Sequence, residues 1–263
     1  MAKAIAFFTA WSISRYKDYL KCPRFAHWAH ILKKTRSPKS PALQRGADIH
    51  KDGERYFQIE PVEFNKLKRP AQKLYEKVGV IRRLKKLPDA YRAFRKEMEE
   101  LRRAGASSEG QRAMDSAWRQ SDWFDAARTW CRVVYDAKLW LPKLRRVRVI
   151  DFKTGKIYPD DNDEQMELYA VTGFSEHPEA DEVLTELWYL DQPRYVPKGD
   201  KDPRKDEANP RVRTFARKDA AKLQRKWQAK VSPMMRDRRF PPSPGRQCAW
   251  CDFSRRKGGD CEF

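Results

Sequence analysis

The chain has 263 residues, 40% hydrophobic and 12% aromatic with nine tryptophans, enough to bury one large core or two small ones and too much for a disordered or fibrous chain. Lys and Arg number 57 against 37 Asp and Glu, a net +20, so polyanions are the natural partners and nucleic acid comes first among them. No apolar run approaches the roughly 20 residues that cross a bilayer, so no membrane-spanning helix is expected in this sequence. The N-terminal MAKAIAFFTAW runs into SRYKDYLKCPR rather than a cleavage context, so a cytoplasmic protein is expected. In that compartment the five cysteines read as metal ligands or buried thiols rather than disulfides.

In chain order, residues 12–34 predict a helix opened by a capping Ser12, with aromatics at helical spacing. After SPKSPAL a second helix covers 42–57. A long basic amphipathic stretch follows over 62–104, broken near Pro70 and Pro88. Segments 130–140 and 146–156 then predict an antiparallel hairpin around LPKLR. A helix is expected over 161–174, strands in VLTELWYLDQPRYV and RVRTFAR, and a mobile Pro/Lys/Asp loop over 197–210 between them. A last helix spans 217–231, before the tail FPPSPGRQCAWCDFSRRKGGDCEF. This order predicts an α/β fold, a sheet with added helices, as one domain over 1–263 with a helical insert at 58–106 and a cysteine-rich tail at 240–263.

The hairpin carries the chemistry. Asp151 and Lys153 in VIDFKTGK share one strand face, and follow Val147 and Val149 where a further core residue is expected. Asp136 on the partner strand can lie near Asp151. Two adjacent carboxylates repel unless a cation lies between them, and aspartate oxygens suit hard cations such as Mg²⁺ or Mn²⁺. A lysine alongside adds the charge and donor that phosphodiester hydrolysis needs. The plainer alternative is a cross-strand salt bridge between Asp151 and Lys153, with Asp136 an edge residue.

The set His50 in GADIH, Glu109, Asp136 in VVYDAKL, Asp151-Phe152-Lys153, and Gln165 with Tyr169 in QMELY resembles the RecB-like branch of the PD-(D/E)XK nucleases, which includes phage exonucleases and CRISPR-adaptation nucleases. The resemblance runs from SRYKDYLKCPR to the cysteine tail and implies a restriction-endonuclease-like mixed central sheet flanked by helices. It makes Asp136 and Asp151 the main metal ligands, His50 and the Phe152 carbonyl additional ones, and Lys153 the catalytic lysine. Gln165 and Tyr169 match its QxxxY motif, four positions apart on one helix face. Glu109 stands where related phage proteins carry an acid, and an ordinary surface role for it stays open.

Cys248 and Cys251 form CxxC, with Cys261 ten positions on and Cys22 a possible fourth ligand if the chain ends meet. One early and three late cysteines are similar to the iron–sulfur staple of several RecB-like nucleases, including AddB. This implies a [4Fe–4S] cluster, with Zn²⁺ the alternative. Cys131, inside a predicted strand, reads as a small core residue. Aromatics interleaved with basic residues in RYKDYLKCPRFAHWAH and RKWQAKVSPMMRDRRF suit either base stacking or a core with a solvated rim. The expected activity is a metal-dependent DNA exonuclease in phage recombination, replication or processing, with recombination or replication proteins as possible partners. The alternatives are a structure-selective endonuclease with the same site and a non-hydrolytic DNA-binding assembly protein.

Overall fold

The computed structural model describes residues 7–34, 37–38, 40–57, 86–157, 162–199 and 201–263. Residues 58–85, most of the expected helical insert and the break at Pro70, lie outside the described residues. The described α-helices are α1 (Ile13–Lys21), α2 (Pro23–Ala26), α3 (Pro41–Phe57), α4 (Arg95–Arg103), α5 (Asp163–Glu176) and α6 (Ala220–Arg236). The strands are β1 (Ser107–Met114), β2 (Gln120–Ser121), β3 (Cys131–Leu141), β4 (Arg146–Lys153), β5 (Glu182–Tyr189) and β6 (Arg211–Ala216), hydrogen-bonded in the order β2-β1-β3-β4-β5-β6.

The expected hairpin is β3–β4, antiparallel from Ala137↔Ile150 to Leu141↔Arg146 and closed by a 3₁₀ turn at Pro142–Leu144. β4 then pairs with β5 in parallel, from Arg146↔Glu182 to Lys153↔Tyr189, with α5 as the crossover that a parallel pair requires. β6 returns antiparallel to β5. The sheet is therefore mixed, with helices flanking it.

Two compact units make up the chain: residues 40–110 with 134–220, and residues 1–39 with 111–133 and 221–263. In the first unit, Ile150 and Phe152 of β4 join Ile49, Tyr91, Phe94, Met98, Leu101 and Trp188 in one apolar cluster. Phe94 stacks on Trp188 at 4.6 Å between ring centroids. The alternate residues Val147, Val149 and Asp151 point to the opposite face. Every residue of α5 from Met166 to Phe174 is buried, which explains why its sequence has no polar stripe. Asn209 is fully buried and its side-chain amide holds the carbonyls of Tyr189, Gln192 and Pro193. The loop expected to be mobile is thus tied at Asn209, and again at Asp202, which accepts from Tyr195 Oη and from the N–H groups of Lys198 and Arg204.

The second unit is built on tryptophan. Trp11 stacks on Trp227 at 5.3 Å and meets Trp118 and Trp130 edge-on, and Trp118 meets Trp130 at 5.2 Å. Tyr16, Trp227 and Phe240, from the two interleaved aromatic–basic stretches, are buried in this unit, so at those positions the core reading holds. The single helix expected over 12–34 is broken. Ser12 caps α1 as expected, but Cys22 is extended (φ −163°, ψ 110°), because the following Pro23 disfavours helical geometry in the residue before it. A π-turn over His27–Ile31 continues the segment. The strands β1 and β2 are absent from the sequence expectation. SSEGQRAM carries two serines and a glycine, residues with little strand preference.

Candidate active site

Five elements of one unit, α3, β1, β3, β4 and α5, bring their polar side chains together. α3 supplies His50, whose Nδ1 lies 2.7 Å from Asp136 Oδ1 on β3. The other oxygen of Asp136 accepts the N–H of Phe152. In an extended strand a residue's N–H and C=O leave on the same edge, so the Phe152 carbonyl also faces the Asp136 side. Glu109 on β1 completes a trio: ligand atoms of His50, Glu109 and Asp136 all lie within 4.8 Å of one another. Glu109 has φ 46°, a left-handed conformation that a non-glycine side chain rarely adopts. Such backbone strain recurs at ligand sites, and here it accompanies a carboxylate aimed at two other ligand types.

Asp151, one residue beyond the Ala137↔Ile150 pair of the hairpin, is held differently. Its Oδ1 accepts from Tyr169 Oη and, at 3.1 Å, from Gln165 Nε2. Its Oδ2 is buried without a hydrogen bond of good geometry, with the Lys153 ammonium 2.6 Å away as an ion pair. Lys153 Nζ in turn donates to Gln165 Oε1 at 2.9 Å. The i, i+4 spacing of Gln165 and Tyr169 places both on the side of α5 that meets β4. The structure thus gathers every sequence-predicted residue of this site into two linked groups. His50, Glu109, Asp136 and Phe152 form one; Asp151, Lys153, Gln165 and Tyr169 form the other.

The charges are poorly balanced. Burial pushes the Asp136 carboxyl up, the nearby Asp151 charge adds to this, and His50 and the Phe152 N–H oppose it. Glu109 is pushed up to about 7, by burial and then by Asp136 and Glu54. Burial works against protonation of His50, yet the bond and charge of Asp136 raise it overall. For Lys153, too, burial opposes the charged form, and Asp151 outweighs it, so the ammonium persists. The donor set of carboxylate oxygens with one imidazole fits Mg²⁺ or Mn²⁺, whose charge would offset the repulsion among the carboxylates. The buried Asp151 Oδ2 has lone pairs to spare for the same purpose.

Two supporting residues have no signal in the sequence. Tyr91 donates its hydroxyl to the Ile49 carbonyl at 2.8 Å, pinning α3 one residue before His50. Gly53 lets Tyr91 approach: a Cβ there would lie 2.2 Å from Tyr91 Oη and 3.1 Å from the Phe152 ring.

Residues 10–256 match the family profile of the PD-(D/E)XK nuclease superfamily. The chain belongs to that superfamily. Among solved structures, this PD-(D/E)XK chain is similar to a protein provisionally described as an exonuclease from Eubacterium rectale, at 12% identity over 92% of this chain and 87% of that one, with a TM-score of 0.47. It is also similar to the protein SSO0001, at 12% identity over 95% and 86% of the two chains, with a TM-score of 0.36. A comparison with curated proteins gives no match.

In the other unit of this nuclease-superfamily chain, Cys22, Cys248, Cys251 and Cys261 line one cavity of about 370 Å³ together with Phe25, Trp28 and Trp250. None is in a disulfide. Burial raises the Cys251 thiol, the Phe253 N–H opposes this, and Cys22, Cys248 and Cys261 nearby raise it further. Cys131 is fully buried apart from them, a core thiol as expected. Among the described residues, no helix is long and apolar enough to cross a membrane.

Proposed function

We propose that the chain is a metal-dependent deoxyribonuclease of the RecB-like branch that degrades DNA from its ends, in the cytoplasm and in phage recombination, replication or processing. The observation that carries this reading is the trio of His50, Glu109 and Asp136 joined through the β3–β4 hairpin to the Asp151–Lys153 pair. His50, Glu109, Asp136, Asp151 and the Phe152 carbonyl would hold Mg²⁺ or Mn²⁺. Bound there, the cation polarises the phosphate and acidifies a water.

The chain's own groups do the rest. Lys153, whose ammonium form the neighbouring Asp151 favours, donates to the phosphate oxygen on which charge accumulates. Gln165 and Tyr169 fix the Lys153–Asp151 pair in place, which avoids reorganisation during the reaction. Water oxygen bonds to phosphorus, the bond from phosphorus to O3′ breaks, and the leaving O3′ takes a proton. The products carry 5′-phosphate and 3′-hydroxyl ends.

In the cysteine cavity we read a [4Fe–4S] cluster. Cys22, Cys248, Cys251 and Cys261 line that cavity together, and a set of four thiols suits a cluster held by four thiolates. Anaerobic purification with an absorbance spectrum and metal analysis tests this; zinc without iron overturns it.

End-labelled linear DNA, single- and double-stranded, and closed circles incubated with Mg²⁺ or Mn²⁺ test the activity. Linear substrates are expected to be consumed and circles spared, with Asp136→Asn, Asp151→Asn and Lys153→Ala inactive. Cleaved circles would mean an endonuclease. Equal, negligible cleavage by wild type and variants would leave a DNA-binding assembly protein.

A further inference from the structure

The net charge is not shared evenly. The unit made of residues 1–39, 111–133 and 221–263 carries 24 Lys and Arg against 8 Asp and Glu, a net +16 of the chain's +20. The unit that holds the hydrolytic site carries 33 against 29. The electrostatic attraction for a polyanion is therefore concentrated on the cysteine-bearing unit.

Most aromatic side chains of this unit are committed to its interior or to a neighbour. Trp250 is different. It is 72% exposed, and among the described residues its indole has no ring or cation partner. Its backbone is fixed: the Trp250 N–H donates to the Gln247 carbonyl at 3.1 Å, and Lys257 Nζ donates to the Trp250 carbonyl at 3.0 Å. That second bond brings the basic turn Arg255–Lys257 against Trp250. Arg246, Arg255 and Arg256 are exposed, and among the described residues none has a carboxylate partner. Phe124 is more exposed at 83%, but it lies between Asp122 and Asp125, which repel a phosphate chain.

We propose that Trp250 is a stacking platform for an unpaired base of a single-stranded DNA terminus, with Arg246, Arg255 and Arg256 on the flanking phosphates. An exposed indole with only two side-chain torsions, on a backbone held by two hydrogen bonds, offers a base its face at little entropic cost. Duplex DNA hides its base faces in the stack, whereas a single strand presents them. The proposal deepens the nuclease reading and rests on it for the identity of the polymer.

Fluorescence anisotropy with a labelled 20-nucleotide oligothymidine and a blunt duplex, in EDTA, tests it on the whole protein purified anaerobically. Trp250→Ala is expected to weaken single-strand binding about tenfold, with the duplex nearly unchanged and Trp250→Phe close to wild type. Replacing Arg246, Arg255 and Arg256 together by Ala should reduce the slope of log K against log salt by about 2. Wild-type protein irradiated with a 5-bromodeoxyuridine oligonucleotide should crosslink at Trp250, a readout that does not depend on a variant's folding. Unchanged single-strand affinity in Trp250→Ala, equal losses for both DNA forms, or crosslinks elsewhere only would overturn the proposal. Because EDTA prevents hydrolysis, these outcomes are separate from those of the cleavage assay.

Discussion

Around Asp136 the fold concentrates acid that it does not neutralise, and the consequence is testable without substrate. Glu109 rises from an ordinary 4.5 to about 7. Between those values the folded chain holds a proton that the unfolded chain has released, so stability falls as pH rises through the window. In EDTA, the Tm is expected to decline from pH 5 to pH 7.5, and Glu109→Gln should flatten that decline. The gain at pH 8 is on the order of 1 kcal/mol, after allowance for the half-exposed carboxylate. Asp136 is shifted in the same direction, so some slope should persist. A Tm that rises with pH in EDTA would contradict the arrangement. Lys153 acts in a different way: its ammonium is the cation paired with Asp151 Oδ2, and Lys153→Ala should lower kcat by about 100-fold or more with little change in KM. Single-turnover cleavage measures it, and a purely raised KM would instead indicate a binding role.

Among the elements, α3 shows how a ligand is aimed. Tyr91 holds the Ile49 carbonyl, and Gly53 leaves room for the ring. Gly53→Ala should therefore overpack this contact and cost about 1–3 kcal/mol in thermal or urea denaturation, because both neighbours are buried aromatic rings. The hairpin and α5 were legible from local pattern: alternation in RVRVIDFK and continuous burial in MELYAVTGF need only nearest neighbours to be read. β1 was not. Its polar residues become strand only because β3, a partner that follows beyond β2 in the sequence, offers a hydrogen-bonding edge. The break between α1 and α2 did have a local signal, Pro23, which the aromatic spacing across 12–34 masked.

At the scale of the whole molecule, the chain separates its charge from its chemistry. The balanced unit holds the carboxylates, and the basic unit holds the cysteines. Cys251→Ser is expected to abolish bound metal and to make residues 240–263 the first site of limited proteolysis, because this tail has little regular structure of its own. Protease resistance equal to wild type would show that the tail does not depend on a metal.

By itself the sequence determined the hairpin, its Asp–Phe–Lys segment, the QxxxY face and the four-cysteine set, because each depends on residues close in the chain or on residue chemistry alone. Only the tertiary structure decided that Glu109 joins His50 and Asp136 while Asp151 is bound by Lys153, Gln165 and Tyr169. It also decided that Trp250, outside both aromatic stretches, is the indole left exposed. Such pairings arise from packing between elements far apart in sequence, where burial and strand partnership override local preference.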